Sequence, residues 1–376
     1  MTTWIWQRPG WPALTWQPRR LAASLREVAQ VLERLTGRLE AGGAAVEAET
    51  SLDALLQTII SSAAIEGERL DAASVRSSLA RRLQLAQVKR ARSDPVSEGF
   101  AELMLDATGN LESRLTRKRL LEWHRWLFPP ESAHAESLSA LHPMRVGRWR
   151  GPSPMRVVSG RIDRPVVHFE APPRKGLETE VKRFLDWFEA GRGDAALDPI
   201  LRAGVAHFWL VTLHPFDDGN GRIARAVADL ALAQAHPATA RLHAMSAAIL
   251  ANRRHYYEIL ERSQRGSLDI TPWLEWFLQT LLQSLQSARQ RIDNVLAKTR
   301  FWHRHRQTTL LPEQNKVLNR LLDGEDFQHG ISAAQYRAVA KVSKATATRH
   351  LVDLLEKGLL EKLAGGGRST RYRVKL

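Results

Sequence analysis

The sequence predicts a mainly α-helical protein with one small β-hairpin and a distinct C-terminal module. Apolar residues recur at helical spacing over most of the chain, beginning with Leu21, Leu25, Val28, Leu32 and Leu35. Short β-prone runs stand out only at Val157-Val158 and at 166–169, where Gly and Pro are also dense. The last 76 residues change character again, with 14 Lys and Arg against 7 Asp and Glu. Regular strand content should therefore be minor.

Composition limits the classes of protein that this chain can belong to. Its 376 residues suffice for two or three domains. The absence of cysteine excludes disulfides, thiolate catalysis and cysteine-bound metal. No apolar run approaches the roughly 18 residues of a membrane span, and the N-terminus lacks the pattern of a secretory signal. These features favour a cytoplasmic location.

The formal charge of +15 has two interpretations. A basic surface attracts nucleic acid, anionic nucleotides or acidic partners. Alternatively, the charge belongs to solvated helix faces, because Arg often stands opposite Glu at helical spacing. Four of the 12 Trp residues lie within the first 16 positions, where packing is their expected role.

The elements divide into three predicted domains. Residues 1–92 form a Trp-rich cap followed by helices, punctuated at Gly42-Gly43. Residues 93–298 carry helical patterns on both sides of the hairpin, whose strands flank Ser159–Pro165. Residues 299–376 follow as a separate module.

The segment His214-Pro-Phe-Asp-Asp-Gly-Asn-Gly-Arg-Ile-Ala-Arg225 carries the strongest chemical signal. Gly219 and Gly221 allow backbone N–H groups to converge at a helix N-terminus, which forms an anion site. Arg222 and Arg225 project from the same face of the first helical turn. Asp218 is suited to hold Mg²⁺ against phosphate oxygens, and His214 can accept a proton near neutral pH. Each part alone is typical of a cap, a turn or a solvated face, but together they indicate phosphoryl transfer.

This segment resembles the signature of the Fic family, His-x-Phe-x-Asp/Glu-Gly-Asn-Gly-Arg-x-x-Arg, at every fixed position. The resemblance implies a Fic helical core within 93–298, in which His214 deprotonates a Ser, Thr or Tyr hydroxyl of a target protein. That oxygen would attack the α-phosphate of ATP, leaving AMP on the target and releasing pyrophosphate. Asp218 would bind Mg²⁺, Arg222 and the glycine amides the α- and β-phosphates, and Arg225 the γ-phosphate. The implied nucleotide-binding residues are Asp217, Asp218, Gly219, Asn220, Gly221, Arg222, Arg225, Tyr256 and Tyr257.

Two other family features match less specifically. The target-binding flap would be the hairpin around Val167, His168, Phe169 and Glu170, which could add a strand to a bound target. Otherwise it is an ordinary surface hairpin. Tyr256 and Tyr257 stand at a paired-Tyr position near the adenine, although both could be core residues. Gln264 departs from the Asn of many relatives, which weakens an adenine contact there.

An inhibitory motif is also implied upstream of the core. Ser62 and Glu66 share a helix face, and with Gly67 they resemble the family's Ser/Thr-x-x-x-Glu-Gly/Asn motif. By itself this is an ordinary i, i+4 surface pair. Beside a Fic core, the Glu66 carboxylate could pair with Arg225 and replace the γ-phosphate.

The C-terminal module resembles a winged helix-turn-helix. One helix covers 331–340 and a second covers 344–357, with Ser343 as its N-cap, followed by two strands around a Gly-rich basic wing. Residues of the second helix could enter a DNA major groove, and the wing could meet phosphates. The candidates are Lys344, Thr346, Thr348, Arg349, Arg368 and Arg371. Winged helices also serve as protein-interaction modules, which leaves that alternative open.

Three functional hypotheses remain after the sequence analysis. The first is an autoinhibited protein adenylyltransferase with ATP as substrate. The second is a DNA-binding transcriptional regulator whose Fic core senses nucleotide, which the intact general base His214 disfavours. The third is a Fic enzyme that uses another donor or removes AMP. The oligomeric state stays open, a homodimer included.

Overall fold

The computed structural model describes residues 3–85, 93–130, 144–161, 164–323, 329–364 and 370–375. Most of these residues are helical, and the predicted mainly α fold class with a small antiparallel hairpin is confirmed. The helices of the described part are α1 Pro18–Ile65, α2 Ala72–Arg82, α3 Pro95–Gly109, α4 Arg117–Leu127, α5 Leu177–Ala190, α6 Pro199–Leu213, α7 Asn220–Ala235, α8 Met245–Ala251, α9 Arg253–Gln264, α10 Thr271–Arg304, α11 Pro312–Leu322, α12 Ala333–Ala340 and α13 Lys344–Glu356. Among these ranges, no helix combines the length and apolar character needed to cross a bilayer.

Two small antiparallel sheets accompany the helices. Strands β1 (Arg156–Arg161) and β2 (Arg164–Glu170) form the hairpin, with Val157 opposite Phe169 and a register shift after Val157. The second sheet contains β3 (Ile331–Ser332), β4 (Leu360–Lys362) and β5 (Arg371–Val374) in the order β3-β5-β4.

The chain divides into two compact units. The first comprises 1–37 and 51–288, and the second comprises 38–50 and 289–376. In the first unit, α6 lies at the centre of the core, because all residues from Ile200 to Leu213 are buried. In the second unit, Phe301, Leu318, Tyr336, Leu351 and Leu354 belong to one buried apolar cluster.

A glycine interrupts α1 where the Gly42-Gly43 pair predicted punctuation. Gly43 has φ 74° and ψ 174°, a non-helical conformation inside the helix. An L side chain is strained at that positive φ, so glycine is the residue type that suits this position.

The Trp-rich cap contains a short 3-10 turn, Ile5–Gln7. The packing role expected of its tryptophans holds, since Trp4 is 6% exposed and Trp6, Trp11 and Trp16 are partly buried. A tight turn results because the Gln7 side chain accepts a hydrogen bond from the Trp4 N–H at 2.8 Å.

The helix pair α6 and α7 positions the segment His214–Arg225, called the signature loop below. Helix α6 begins at Pro199, where the Asp198 carboxylate accepts hydrogen bonds from the N–H groups of Ile200 and Leu201 at 2.8 and 3.2 Å. It ends at Leu213 with His214 as its C-cap, and α7 begins directly after Gly219. The two helices pack closely along their length, so the loop between them is held at both ends.

Candidate active site

His214 lies in a strained backbone position at the end of α6. Its φ of 49° and ψ of 57° place it in the left-handed region, which is uncommon for a residue other than glycine. The Arg150 guanidinium stabilises this turn by donating from Nε to the His214 carbonyl at 2.8 Å. Strain held in this way is frequent at functional sites, because surrounding contacts over-determine the conformation.

The imidazole of His214 is set up as a neutral base. Burial lowers the pKa of His214 to about 4, although the hydrogen bond with the Val211 carbonyl acts in the opposite direction. Nδ1 lies 3.3 Å from that carbonyl oxygen and would donate to it, which leaves Nε2 as the basic nitrogen. The ring is therefore unprotonated at neutral pH.

The glycine turn is pinned by an asparagine. Asn220 accepts a hydrogen bond from the Phe216 N–H and donates one to the Phe216 carbonyl, both at 2.9 Å. Gly219 has φ 80°, and a Cβ at this position would lie 2.9 Å from the Phe128 ring. These contacts fix the turn that leads into the N-terminus of α7, the kind of helix end at which anions bind.

Arg225 is bound by the upstream motif. Its guanidinium donates to Glu66 Oε1 at 2.8 Å and to the Ser62 hydroxyl and carbonyl, both at 3.0 Å. A Cβ at Gly221 would collide with that same Glu66 carboxylate oxygen. The structure thus brings Ser62 and Glu66 into contact with Arg225, which lies 159 residues after Glu66 in the chain. Gly67 follows with φ 85°, which ends the helical path of α1.

Arg222 is bound by a second carboxylate that the sequence analysis missed. Glu68 Oε1 lies 2.5 Å from the Arg222 guanidinium, and Asp218 Oδ2 lies 3.1 Å from it. The Arg222 side chain is only 2% exposed and sits over the Phe128 ring at 4.8 Å. Both arginines of the motif are therefore paired with glutamates of the same upstream segment. The only signal in the sequence was the position of Glu68, two residues after Glu66.

The two aspartates of the loop have different surroundings. Asp218 keeps a side chain that is 45% exposed, while Oδ1 accepts from the Gly219 N–H at 2.6 Å. Asp217 instead accepts hydrogen bonds from the N–H groups of Arg145 and Gly151, at 3.0 and 3.2 Å. Asp217 thus anchors a neighbouring loop, whereas Asp218 presents a carboxylate to the site.

His124 is a further residue that sequence reasoning missed. Its ring stacks on Phe216 at 4.3 Å with an angle of 18°. Nδ1 accepts from the Gly147 N–H at 3.0 Å, so Nε2 donates to the Asp218 carbonyl at 3.2 Å. His124 and Arg150 both support the loop from outside it, and no local pattern marked either of them.

The predicted flap lies beside His214. The Phe169 ring centroid is 6.4 Å from that of His214, and Phe169 is buried. His168 bridges Ser159 and Glu261 through its two ring nitrogens at 2.6 and 2.8 Å. The Val167 carbonyl accepts from Arg265 at 2.9 Å, and the Glu170 carboxylate pairs with Arg156 at 2.9 Å.

The two tyrosines have different environments. Tyr256 is 1% exposed, and its hydroxyl lies 3.2 Å from His207 Nε2. Tyr257 is 38% exposed and donates to the Ile65 carbonyl at 3.2 Å, with Glu66 Oε2 at 3.5 Å. Gln264 is buried and donates to Thr212 at 3.2 Å. Of the three, only Tyr257 is exposed, and it lies beside Ile65 and Glu66.

The DNA-binding candidates lie in the second compact unit. Lys344, Thr348 and Arg349 are exposed on α13, and Thr346 is partly buried next to the N-cap Ser343. Arg371 donates to the Gly330 carbonyl at 2.9 Å, which gives it a structural contact. Arg368 lies outside the described residues.

Imidazoles that are wholly or partly buried around the loop should make the protein sensitive to acid. Burial lowers the pKa of His124 and His214 to about 4 and that of His207 to about 3. These groups take up protons on unfolding, so stability is complete above about pH 6.5 and is lost as pH falls towards 4. Asp229 opposes this, because burial raises its pKa to about 7. With three groups against one, we expect the thermal unfolding midpoint to fall steadily between pH 6.5 and 4.5. Circular dichroism measures this midpoint, and a midpoint that rises as the pH falls from 6.5 to 4.5 would contradict these protonation states.

Comparison with known proteins agrees with this geometry. Residues 114–232 match the Fic/DOC family, and residues 4–85 match a domain of unknown function, DUF4172. The chain is 29% identical over 195 residues to the protein adenylyltransferase Fic of Nematostella vectensis, covering 51% of this chain and 37% of that protein. It is 28% identical over 262 residues to the protein adenylyltransferase Fic of Drosophila willistoni, covering 66% and 47%. The chain thus spans less than half the length of these relatives.

Solved structures share the fold. A Fic family protein from Desulfovibrio desulfuricans G20 aligns with a TM-score of 0.55 at 20% identity, covering 97% of this chain and 98% of that one. A Fic domain containing signaling protein from Bacteroides thetaiotaomicron aligns with a TM-score of 0.50 at 16% identity, covering 71% and 97%. At these identities the likeness concerns the fold alone.

Proposed function

We propose that this chain, which contains a Fic/DOC domain, transfers AMP from ATP to a Ser, Thr or Tyr hydroxyl of a target protein. The observation that carries the proposal is the neutral, partly buried His214 beside a glycine turn and two arginines whose present partners are carboxylates. A carboxylate and a phosphate make the same charge-assisted contacts with a guanidinium. The name of the relatives, protein adenylyltransferase, supports the same activity.

The proposed reaction transfers one proton, forms one bond and breaks another. His214 Nε2 accepts the proton of the target hydroxyl, whose oxygen forms a bond to the α-phosphorus of ATP. The bond between the α-phosphorus and the oxygen bridging to the β-phosphate breaks, and pyrophosphate leaves. The N–H groups at the start of α7 face the charge that develops on the α-phosphate oxygens.

The other residues of the loop hold the nucleotide in this proposal. Arg222 contacts the α- and β-phosphates, and Arg225 contacts the γ-phosphate. Asp218 fits a magnesium site, since its carboxylate is partly exposed and Mg²⁺ commonly uses one protein carboxylate together with phosphate oxygens. The metal would neutralise phosphate charge. Tyr257 and the flap residues 167–170 would border the adenine and the target chain respectively.

The resting protein is autoinhibited in this proposal. Glu66 occupies Arg225, with Ser62 completing the contacts of the guanidinium. To reach Arg225, whose side chain is 3% exposed, the γ-phosphate of ATP would have to displace the Glu66 carboxylate. ATP bound without that contact would be held in a pose in which the α-phosphate is poorly aligned with the attacking hydroxyl.

ATP labelled at either the α- or the γ-phosphate tests the proposed AMP transfer. The Glu66→Gly protein is incubated separately with α-labelled and γ-labelled ATP, and the label retained on protein is measured. AMP transfer predicts retention of the α-label alone, together with pyrophosphate release. Retention of the γ-label would indicate phosphate transfer, and labelling only by another nucleoside triphosphate would change the donor.

Glu68 gives a prediction for nucleotide affinity. The Glu66→Gly background already lacks the carboxylate that pairs with Arg225. Adding Glu68→Gln removes the carboxylate that pairs with Arg222, so that Arg222 becomes available to phosphate. We expect ATP affinity, measured by calorimetry, to rise about fivefold. The Glu66→Gly parent is the control. A weaker affinity in the double variant would mean that Glu68 instead orients Arg222 for the nucleotide.

DNA binding by the second unit is a second candidate function. Helices α11 to α13 with the three-stranded sheet have the element order of a winged helix, and Lys344, Thr348 and Arg349 line an exposed face of α13. We expect a mobility shift with random duplex DNA at low salt that weakens as salt rises. The Lys344→Ala/Arg349→Ala variant should weaken it further. An absence of binding at low salt would favour a protein-interaction role.

A further inference from the structure

We propose that Trp4 and Trp6 of the N-terminal segment are positioning residues for the acceptor side of AMP transfer. They hold the end of strand β2 where the flap must align a target chain with His214. This inference rests on the proposed function and gives a role to a segment whose matching domain has no known function. The inference concerns binding of the acceptor protein, whereas nucleotide binding stays assigned to the signature loop.

Both tryptophans contact the last residues of β2. The Trp6 indole N–H donates to the Glu170 backbone carbonyl at 2.7 Å. The Trp4 ring meets the Phe169 ring edge-on, at 5.4 Å and 79°. Trp4, Phe169 and Ala171 form a small buried cluster of their own, against which Met155 and Val167 pack. The base of the hairpin therefore depends on residues more than 160 positions away in sequence.

The N-terminal segment is itself tied to the end of α9. Arg8 donates to the Gly266 carbonyl at 3.2 Å, and the Arg265 guanidinium lies 5.2 Å from the Trp4 ring. The same Arg265 also donates to the Val167 carbonyl of β2 at 2.9 Å. Trp4, Arg265 and β2 thus form a connected set that joins the N-terminus, the hairpin and α9.

The rest of the hairpin needs this support. Every residue of β1 is exposed, and Val166 at the outer part of β2 is 55% exposed. An isolated two-stranded hairpin is marginally stable in water, so the buried base determines where its strands point. Because the Phe169 ring is close to both Trp4 and His214, with centroid distances of 5.4 and 6.4 Å, a shift of Phe169 would move the flap relative to the imidazole of His214. A misplacement of about 1 Å can reduce a reaction rate on the order of 100-fold.

Trp6→Phe is the most specific test, because it retains an aromatic ring and removes the N–H donor. The matched control is Trp11→Phe in the same segment, whose indole N–H bonds to Glu180 of α5 at 3.2 Å, away from the flap. Both are made on the Glu66→Gly background. The acceptor probe is a tagged, inactive copy of this chain carrying Glu66→Gly and His214→Ala, and its modification by α-labelled ATP is measured against acceptor concentration.

We expect Trp6→Phe to raise the KM for this acceptor about tenfold, while hydrolysis of ATP to AMP without acceptor is unchanged. Hydrogen exchange at 164–170 should become faster, with α6 and α7 unaffected, and Trp11→Phe should behave as the parent. An unchanged KM or unchanged exchange would overturn the inference, as would an equal loss of hydrolysis and transfer. If the Glu66→Gly parent labels no acceptor and hydrolyses no ATP, the proposed function itself fails.

Discussion

Replacing Glu66 with glycine should raise AMP transfer by about 10- to 100-fold, the range of a regulatory coupling between two sites. The physical reason is the competition for Arg225, whose guanidinium now binds Glu66 at 2.8 Å and Ser62 at 3.0 Å. Without the carboxylate, the guanidinium can pair with the γ-phosphate, and ATP can take the pose required for attack. The initial rate of label transfer from α-labelled ATP measures the effect.

The control for this variant is Glu27→Gly, which removes an exposed glutamate from helix α1, the helix that ends directly before Glu66, and introduces the same flexible residue. It should leave the transfer rate at the wild-type level. Equal rates for Glu66→Gly and the wild-type protein would contradict autoinhibition while leaving the catalytic assignment of His214 untouched. Weak activity of the wild-type protein is the expected starting point.

His214→Ala should reduce transfer on the order of 100- to 10,000-fold, the usual contribution of a positioned general base. The effect arises because His214 is the one histidine of the signature loop, and burial keeps its imidazole unprotonated well below pH 7. The variant is made on the Glu66→Gly background, so that autoinhibition does not mask the loss. Nucleotide affinity, measured by calorimetry, should stay close to that of the parent.

His255→Ala serves as the matched control, since His255 is an exposed imidazole on α9, with its side chain 60% exposed. Its transfer rate should equal that of the Glu66→Gly parent. If His214→Ala retained full transfer, the proton would have to leave by another route and the proposed role of His214 would be wrong. A parallel loss of ATP affinity would instead assign His214 to nucleotide binding.

Much of the site could be predicted because it is local. From His214 to Arg225, twelve consecutive residues carry the base, the glycine turn and both arginines. Helix geometry alone places Ser62 and Glu66 on one face, four residues apart. The mainly α fold class followed from the apolar spacing, which the buried residues of α6 and α7 reproduce. The meeting of Glu66 with Arg225, the flap and the tyrosine pair required the family resemblance.

The remaining contacts join positions far apart in the chain, and no periodicity encodes them. Glu68 reaches Arg222 across 154 residues, and Arg150 supports the His214 carbonyl across 64. Trp6 reaches Glu170 across 164 residues. The chain by itself thus determined the chemistry of the loop and the helical character of its scaffold. The tertiary structure decided which carboxylates occupy the arginines and what supports the flap, because both depend on packing between distant elements.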